Sequence, residues 1–353
     1  MAFDNFYGNP DVAQTLGGMI ETERIHQTIL LSGPSGIGKA TLARRFAATL
    51  LGDAFHPAAP QIEQDDLASE DNQALLADRE KLTADKRSDD PLVLSSHPDF
   101  LTFPPDGPLR QISIQQTRLL RERAQFRPLK GQWRVFLIDQ IDRANEQAAN
   151  SLLKTLEEPP PYLVIIMTAE NAYDLLPTIR SRSILFPFKR LAVDEMRLFL
   201  RDRKLADADQ RIRLSNGCPG AAVSLDLESY DKRRESMIRL LEAGAGRGEF
   251  AEWARHAESI SMRKTEKLED FLDVLYLLLE DLLLVHQGRP SAELLNPDLE
   301  AKLRALAQWT TFEWIRNAVT KVDEVVHLLR RNIQKSIALD ALVMNMRAAI
   351  RQS

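Results

Sequence analysis

A glycine-rich turn between a strand-like run and a helix-like run constrains this chain more than any other segment. The sequence GPSGIGKAT at residues 33–41 follows the apolar run Thr28–Ser32 and precedes the helical pattern Leu42–Leu51. Glycines let backbone N–H groups point at a phosphate, the helix N-terminus adds a positive dipole, and the lysine reaches the outer oxygens. This context favours a nucleotide-type loop over a glycine-rich turn with an unrelated lysine. Its members are Gly33, Pro34, Ser35, Gly36, Ile37, Gly38, Lys39, Ala40 and Thr41.

Short apolar runs alternate with helical patterns through the first half of the chain. Val135–Ile138 and Leu163–Thr168 have the continuous apolar character of strands buried on both faces. Between them lies the helical pattern Ala144–Glu158, which the run Pro159–Pro161 ends. The alternation predicts an α/β domain with a parallel sheet over residues 1–188, with ligands at the carboxyl ends of its strands.

The net charge of −5 is distributed unevenly. Between Asp53 and Asp90 there are eleven acidic residues and four basic ones, so the rest of the chain is slightly basic. This stretch also contains several prolines, and we interpret about 53–96 as an insertion on the α/β domain with one helix around Asp71–Asp85. The sequence assigns it no function.

Beyond residue 188 the strand signals end. Residues 189–228 predict a small helical domain, and residues 229–353 predict an all-α domain, in which we expect Trp309 and Trp314 to pack. The apolar run Phe271–Val285 carries three acidic residues, so it predicts a buried bundle helix and no membrane span.

A single cysteine, Cys218, excludes an intramolecular disulfide and any zinc site made of several thiolates. The first residues have neither the basic nor the apolar region of a secretory signal. We therefore expect a cytoplasmic protein without zinc.

Two positions near the loop depart from what ATP hydrolysis requires. Ala40 stands where a Ser or Thr hydroxyl ligates Mg²⁺, and Thr41, one position later, is rotated by about 100° on the helix. Asp139 ends the second strand run as a Mg²⁺-binding aspartate does, but Gln140 follows it, and an amide cannot activate water as a carboxylate can. Asp142 could replace that carboxylate, although we favour it as the cap of the helix beginning near Ala144. We therefore expect ATP binding with impaired Mg²⁺ binding, no metal site, and absent or very weak hydrolysis.

Four motifs, in order, resemble the clamp-loader branch of the AAA+ ATPases. They are GPSGIGKAT at 33–41, HPDF at 97–100, IDQIDRANEQAANSLLKTLEEPP at 138–160 and LLPTIRSRS at 175–183. The resemblance covers residues 3 to about 225, and a weaker one at 331–344 is similar to the last helix of the collar in that family.

The resemblance implies a AAA+ P-loop domain, a lid and a collar in a hetero-pentameric ring with tau/gamma and delta subunits of bacterial DNA polymerase III. That ring binds ATP at subunit junctions and loads a sliding clamp on primer–template DNA. The family's Ser-Arg-Cys motif supplies an arginine finger to a neighbour's ATP; here it reads Ser181-Arg182-Ser183. The resemblance therefore implies that Arg182 acts in trans. Without it, a solvated surface charge would be the ordinary interpretation.

Further departures concern this chain's own site. The sensor arginine of the family's lid is replaced by Gly220, and its four-cysteine zinc module is absent. Thr168 corresponds to the first sensor position, where a γ-phosphate contact and a structural role remain alternatives.

These missing groups favour a largely noncatalytic stator over an ATP-hydrolysing motor subunit of tau/gamma type. A small-substrate phosphotransferase would be expected to keep its Mg²⁺ hydroxyl and needs no helical tail. Lys154 and Arg143 are candidates to face DNA.

Overall fold

The chain forms two compact units, Met1–Ser224 and Leu225–Ser353. The structure is a computed structural model that describes residues 3, 5–52, 57–262, 267–328 and 334–350. Residues 53–56 of the expected insertion and 331–333 of the collar motif lie outside the described residues. The division into 1–188, 189–228 and 229–353 stays a prediction.

A six-stranded sheet forms the centre of the first unit, in the order β2-β3-β4-β5-β1-β6. Neighbouring strands are parallel except that β2 runs antiparallel to β3. The predicted α/β class with a parallel sheet is confirmed. The strands are β1 Thr28–Ser32, β2 Leu94–His97, β3 Phe100–Phe103, β4 Arg134–Ile138, β5 Leu163–Ala169 and β6 Ile184–Pro187.

The central strands are buried on both faces because helices cover the sheet on either side. In β1, Ile29 and Leu31 pack into one hydrophobic core, while Leu30 packs into the core on the other face. Helix α2 contributes Phe46 to the first core, and α7 contributes Leu152 to the second. The helices are α1 Pro10–Glu21, α2 Lys39–Leu51, α3 Ala59–Ile62, α4 Glu70–Glu80, α5 Ala84–Asp89, α6 Ile114–Ala124, α7 Glu146–Glu157, α8 Pro177–Arg180, α9 Val193–Asp202, α10 Ala208–Ser215 and α11 Pro219–Ser224.

The insertion differs from the single helix predicted at Asp71–Asp85, because α4 ends at Glu80 and α5 begins at Ala84. Arg79 of α4 ties the insertion to the loop after β3. Its Nε donates to Asp106 Oδ1 at 3.0 Å and its Nη2 to Asp106 Oδ2 at 2.8 Å. Both side chains are only 7% exposed, so this bidentate ion pair is shielded from solvent.

The second unit is helical in its described residues. Its helices are α12 Leu227–Gly244, α13 Phe250–Ser261, α14 Leu268–His286, α15 Glu300–Ala307, α16 Phe312–Leu328 and α17 Lys335–Ile350. The buried helix predicted at Phe271–Val285 lies within α14. Across the described residues, every helix falls short of the length and apolarity that crossing a bilayer requires.

The two collar tryptophans have different environments. Trp314 is buried, and its Nε1 donates to the carbonyl of Met346 at 3.0 Å. Trp309 is 58% exposed, with the guanidinium of Arg247 over its ring. The expected packing is confirmed for Trp314 and wrong for Trp309, because helical position alone does not say which face of a helix is covered.

Replacement of Arg79 by alanine should lower the free energy of local unfolding of the insertion by about 3 kcal/mol, because the buried carboxylate of Asp106 loses its cation. Amides of α4 should then exchange with solvent about 100-fold faster by hydrogen–deuterium exchange. The control is Lys81→Ala, whose ion pair with Asp78 is about three-quarters exposed. Equal exchange in the two variants would contradict the assigned role of Arg79.

Candidate functional site

The loop that follows β1 has the backbone conformation that its glycines permit. Gly36 has φ 73° and Gly38 has φ 103°, both in the left-handed region. The N–H of Gly220 donates to the carbonyl of Gly36 at 2.7 Å, and a Cβ at position 220 would lie 2.9 Å from that oxygen. Position 220 therefore has no room for the family's sensor arginine unless the loop moves.

Lys39, the first residue of α2, has its ammonium bound to the loop itself. Nζ donates to the carbonyl of Gly33 at 2.5 Å and to that of Pro34 at 2.8 Å. The side chain is buried, and burial lowers the pKa of Lys39, with Asp139 acting in the opposite direction. In this arrangement Lys39 stabilises the loop by hydrogen bonds to main-chain carbonyls.

Asp139 and Thr168 lie side by side at the carboxyl ends of β4 and β5. The Thr168 hydroxyl donates to the Asp139 carboxylate and accepts from the N–H of Gln140 at 2.8 Å. Gln140 has φ 57°, which turns the chain away from β4. Burial raises the pKa of Asp139, while the Thr168 hydrogen bond acts to lower it. The Thr168 hydroxyl is thus engaged within the chain as both donor and acceptor, which favours the structural alternative over a phosphate contact.

The residues around the loop do not fit Mg²⁺. Ala40 provides no oxygen from its side chain, and the Asp139 carboxylate is engaged by Thr168. In the described part of the chain, no group of three or more His, Cys, Asp and Glu side chains could hold a metal ion. We therefore derive no metal-dependent step at this site.

Asp142 does not cap α7, so the expectation for this residue is wrong. Asn145 caps α7, its side chain accepting from the N–H of Ala148 at 2.8 Å. Asp142 lies in the 3₁₀ turn Ile141–Arg143, with Oδ2 accepting from the N–H of Glu170 at 3.4 Å. The turn lengthens the connection from β4 and moves the start of the helix beyond Asp142.

A cavity of about 430 Å³ borders the loop. The loop residues Ser35 to Thr41 line it together with Asp139 and Thr168, whereas Asp142 does not. Of the residues that the sequence predicts for the nucleotide site, those that line the cavity are Ser35, Gly36, Ile37, Gly38, Lys39, Ala40, Thr41, Asp139 and Thr168.

The insertion supplies an acidic group to this cavity that sequence reasoning missed. Asp66 lies in the lining and forms a 2.8 Å ion pair with Arg44 of α2, whose side chain is only 6% exposed. A carboxylate here repels a polyphosphate and neutralises one of the cations that could bind it. Since the two residues are 22 positions apart, no local pattern could have indicated their pairing.

Arg182 lies at the opposite edge of the sheet from this cavity. The loop follows the carboxyl end of β1, whereas Arg182 precedes the amino end of β6, and these two strands are parallel neighbours. A five-residue strand spans about 17 Å. Arg182 does not line the cavity, so it cannot serve this chain's own loop in the present fold.

A second groove, of about 380 Å³, lies between α6 and α7. Lys154 lines it together with Arg118 and Arg121 of α6, and Glu122 and Glu158 also contribute. The structure thus brings Lys154 together with two arginines that sequence reasoning did not single out. It does not bring Arg143 to this groove.

Comparison with known proteins gives matches along most of the chain. The family described as "DNA polymerase III, delta subunit" matches residues 8–192, and "DNA polymerase III, delta subunit, C terminal" matches residues 232–347. The Bacillus subtilis DNA polymerase III subunit delta' is 25% identical over 339 residues, which cover 95% of each chain.

Other relatives are matched over only part of their length. The Escherichia coli DNA polymerase III subunit tau is 28% identical over 195 residues, or 55% of this chain and 26% of that protein. The gamma/tau subunit of Mycobacterium tuberculosis strain H37Rv is 29% identical over 202 residues, or 56% of this chain and 30% of that protein. The chain thus spans between a quarter and a third of the length of these relatives.

Substitution of Thr168 by valine should lower the free energy of unfolding by about 1–3 kcal/mol, because Gln140 N–H loses its acceptor and buried Asp139 its donor. Thr168→Ser, which keeps the hydroxyl, is the matched control. Urea denaturation measures both. A serine variant as unstable as the valine variant would show that the methyl group, not the hydroxyl, matters.

Proposed function

Since this chain belongs to the DNA polymerase III delta-subunit family, whose members are clamp-loader subunits, we propose that it is the stator of its assembly and supplies Arg182 to a neighbour's ATP. Its partners are then the tau/gamma and delta subunits in a five-subunit cytoplasmic ring, the sliding clamp and primer–template DNA. The similarity to a delta' subunit over nearly the whole chain supports this assignment, whereas the tau similarities cover only about half of the chain.

The position of Arg182 carries the proposal. This arginine lies at the sheet edge opposite the chain's own loop, so any phosphate that it contacts belongs to another molecule. A guanidinium supplied in trans stabilises the charge that develops on the γ-phosphate, an effect worth about 10³ to 10⁵ in rate in well-studied nucleotide hydrolases.

The chain's own loop lacks the groups that hydrolysis needs. Ala40 provides no hydroxyl for Mg²⁺, and Gln140 provides no carboxylate to activate water. The contact of Gly220 with Gly36 fills the position of a sensor arginine. These features support a stator over a motor, because each missing group would have to be restored separately for turnover.

The groove between α6 and α7 is the candidate DNA contact. Lys154, Arg118 and Arg121 give it three cations against Glu122 and Glu158. Cations spaced along two neighbouring helices can bind successive phosphates without reading the bases. This supports a sequence-independent contact, weak in one subunit, within a ring that holds DNA.

Replacement of Arg182 by alanine in the reconstituted assembly should slow hydrolysis at one junction about 10³-fold. In a single-turnover experiment with clamp and primed DNA, the amplitude of the fast phase of hydrolysis should fall by one ATP per assembly. Clamp loading should fail. The control is Arg180→Ala, which removes an arginine that stacks on Tyr173 of the same segment. The isolated chain should show no Mg²⁺-dependent turnover.

Two results would contradict this proposal. An unchanged fast phase in Arg182→Ala would remove the trans role. Steady ATP turnover by the isolated chain, insensitive to Arg182→Ala, would identify a motor instead.

Substitution of Lys154 or Arg118 by glutamine should reduce the salt dependence of DNA binding by the assembly. Each lost phosphate contact lowers the slope of log K against log salt by about 0.7–0.9. Fluorescence anisotropy at several salt concentrations measures this slope. Lys81→Gln, on the insertion, is the control, and a slope as steep in the groove variants as in that control would exclude the groove.

A further inference from the structure

The guanidinium of Arg182 is bound within its own chain. Nη1 donates to the carbonyl of Thr178 at 2.9 Å, and Nη2 forms an ion pair with Oε1 of Glu157. Nε is buried and has no hydrogen-bond partner among the described residues. The guanidinium therefore contacts one main-chain carbonyl, one carboxylate and, at 3.4 Å, the Ser181 hydroxyl, while its Nε donor is unused among the described residues.

The fold places Glu157 beside Arg182 at the amino ends of the strands. It is the last residue of α7, which ends before the proline run, and Arg182 lies between α8 and β6. Both residues are close to the amino ends of strands, since β5 begins at Leu163 and β6 at Ile184. The same sheet edge thus carries both partners, although they are 25 residues apart in sequence.

We propose that Glu157 is a positioning residue that holds Arg182 in an ion pair within the chain. Its carboxylate binds Nη2 until a neighbour's phosphate replaces it. This inference rests on the proposed trans role of Arg182. A carboxylate and a phosphate present the same kind of anionic oxygen to a guanidinium, so the two compete for the same donor. The Thr178 anchor can remain while Nη2 changes partner.

The exposure of the pair suits an exchangeable contact. The side chains of Arg182 and Glu157 are 31% and 46% exposed, whereas those of Arg79 and Asp106 in the buried pair are each 7% exposed. An exposed ion pair contributes little because water screens it and both side chains lose conformational freedom. A phosphate with its larger charge can therefore displace Glu157.

The test uses the reconstituted assembly without clamp or DNA. Glu157→Gln keeps the size of the side chain but removes its charge, so Arg182 should be released. Basal ATP turnover should then rise about two- to fivefold, the range that an exposed ion pair can shift an equilibrium, with an unchanged KM for ATP. Glu146→Gln is the matched control, since it removes the same charge from the exposed first residue of α7 and should leave basal turnover as in wild type.

A double variant separates this inference from the proposed function. In an Arg182→Ala background, Glu157→Gln should have no effect, because there is no arginine to release. The proposed role of Glu157 would be overturned if Glu157→Gln lowered turnover or left it unchanged. It would also be overturned by an equal rise in the Arg182→Ala background. If Arg182→Ala itself leaves hydrolysis intact, the proposed function fails first. If Arg182→Ala abolishes hydrolysis at one site while Glu157→Gln has no effect, only the proposed role of Glu157 fails.

Discussion

Parallel pairing of β4, β5, β1 and β6 separates the candidate functional groups that flank these strands between the two ends of the sheet. The carboxyl ends of the strands gather the glycine-rich loop, Asp139 and Thr168, whereas the amino ends gather Glu157 and Arg182. One sheet therefore carries two chemically different edges. At the loop edge, polar groups are engaged by hydrogen bonds within the chain, whereas the other edge carries the partly exposed ion pair of Arg182 with Glu157.

Hydrogen bonds within the chain already engage the groups that a nucleotide-hydrolysing site would use. The ammonium of Lys39 binds loop carbonyls, the Asp139 carboxylate accepts from Thr168, and Gly36 accepts from Gly220. The insertion adds Asp66 to the same cavity. Such a site retains the shape of a phosphate-binding loop, while its polar groups stabilise the fold of this subunit.

The sequence predicts the parts of the fold that have a local signature. β1, β4 and β5 are continuous apolar runs, so they are recognised directly. β2 is an exposed outer strand and β6 is only partly buried, so neither has such a run. The loop and Arg182 are recognised by their motifs. The pairs Asp66–Arg44 and Arg182–Glu157 have no such signature, because tertiary folding joins residues that are 22 and 25 positions apart.

The proposed role of Arg182 is to serve a neighbour's ATP and not this chain's own loop. A structure of the assembled ring with a non-hydrolysable ATP analogue tests it most directly. We expect the Arg182 guanidinium about 3 Å from the γ-phosphate of a nucleotide on the adjacent subunit, with its Nη2 no longer bound to Glu157. An Arg182 that remains on Glu157 and faces solvent at a nucleotide-filled junction would contradict it.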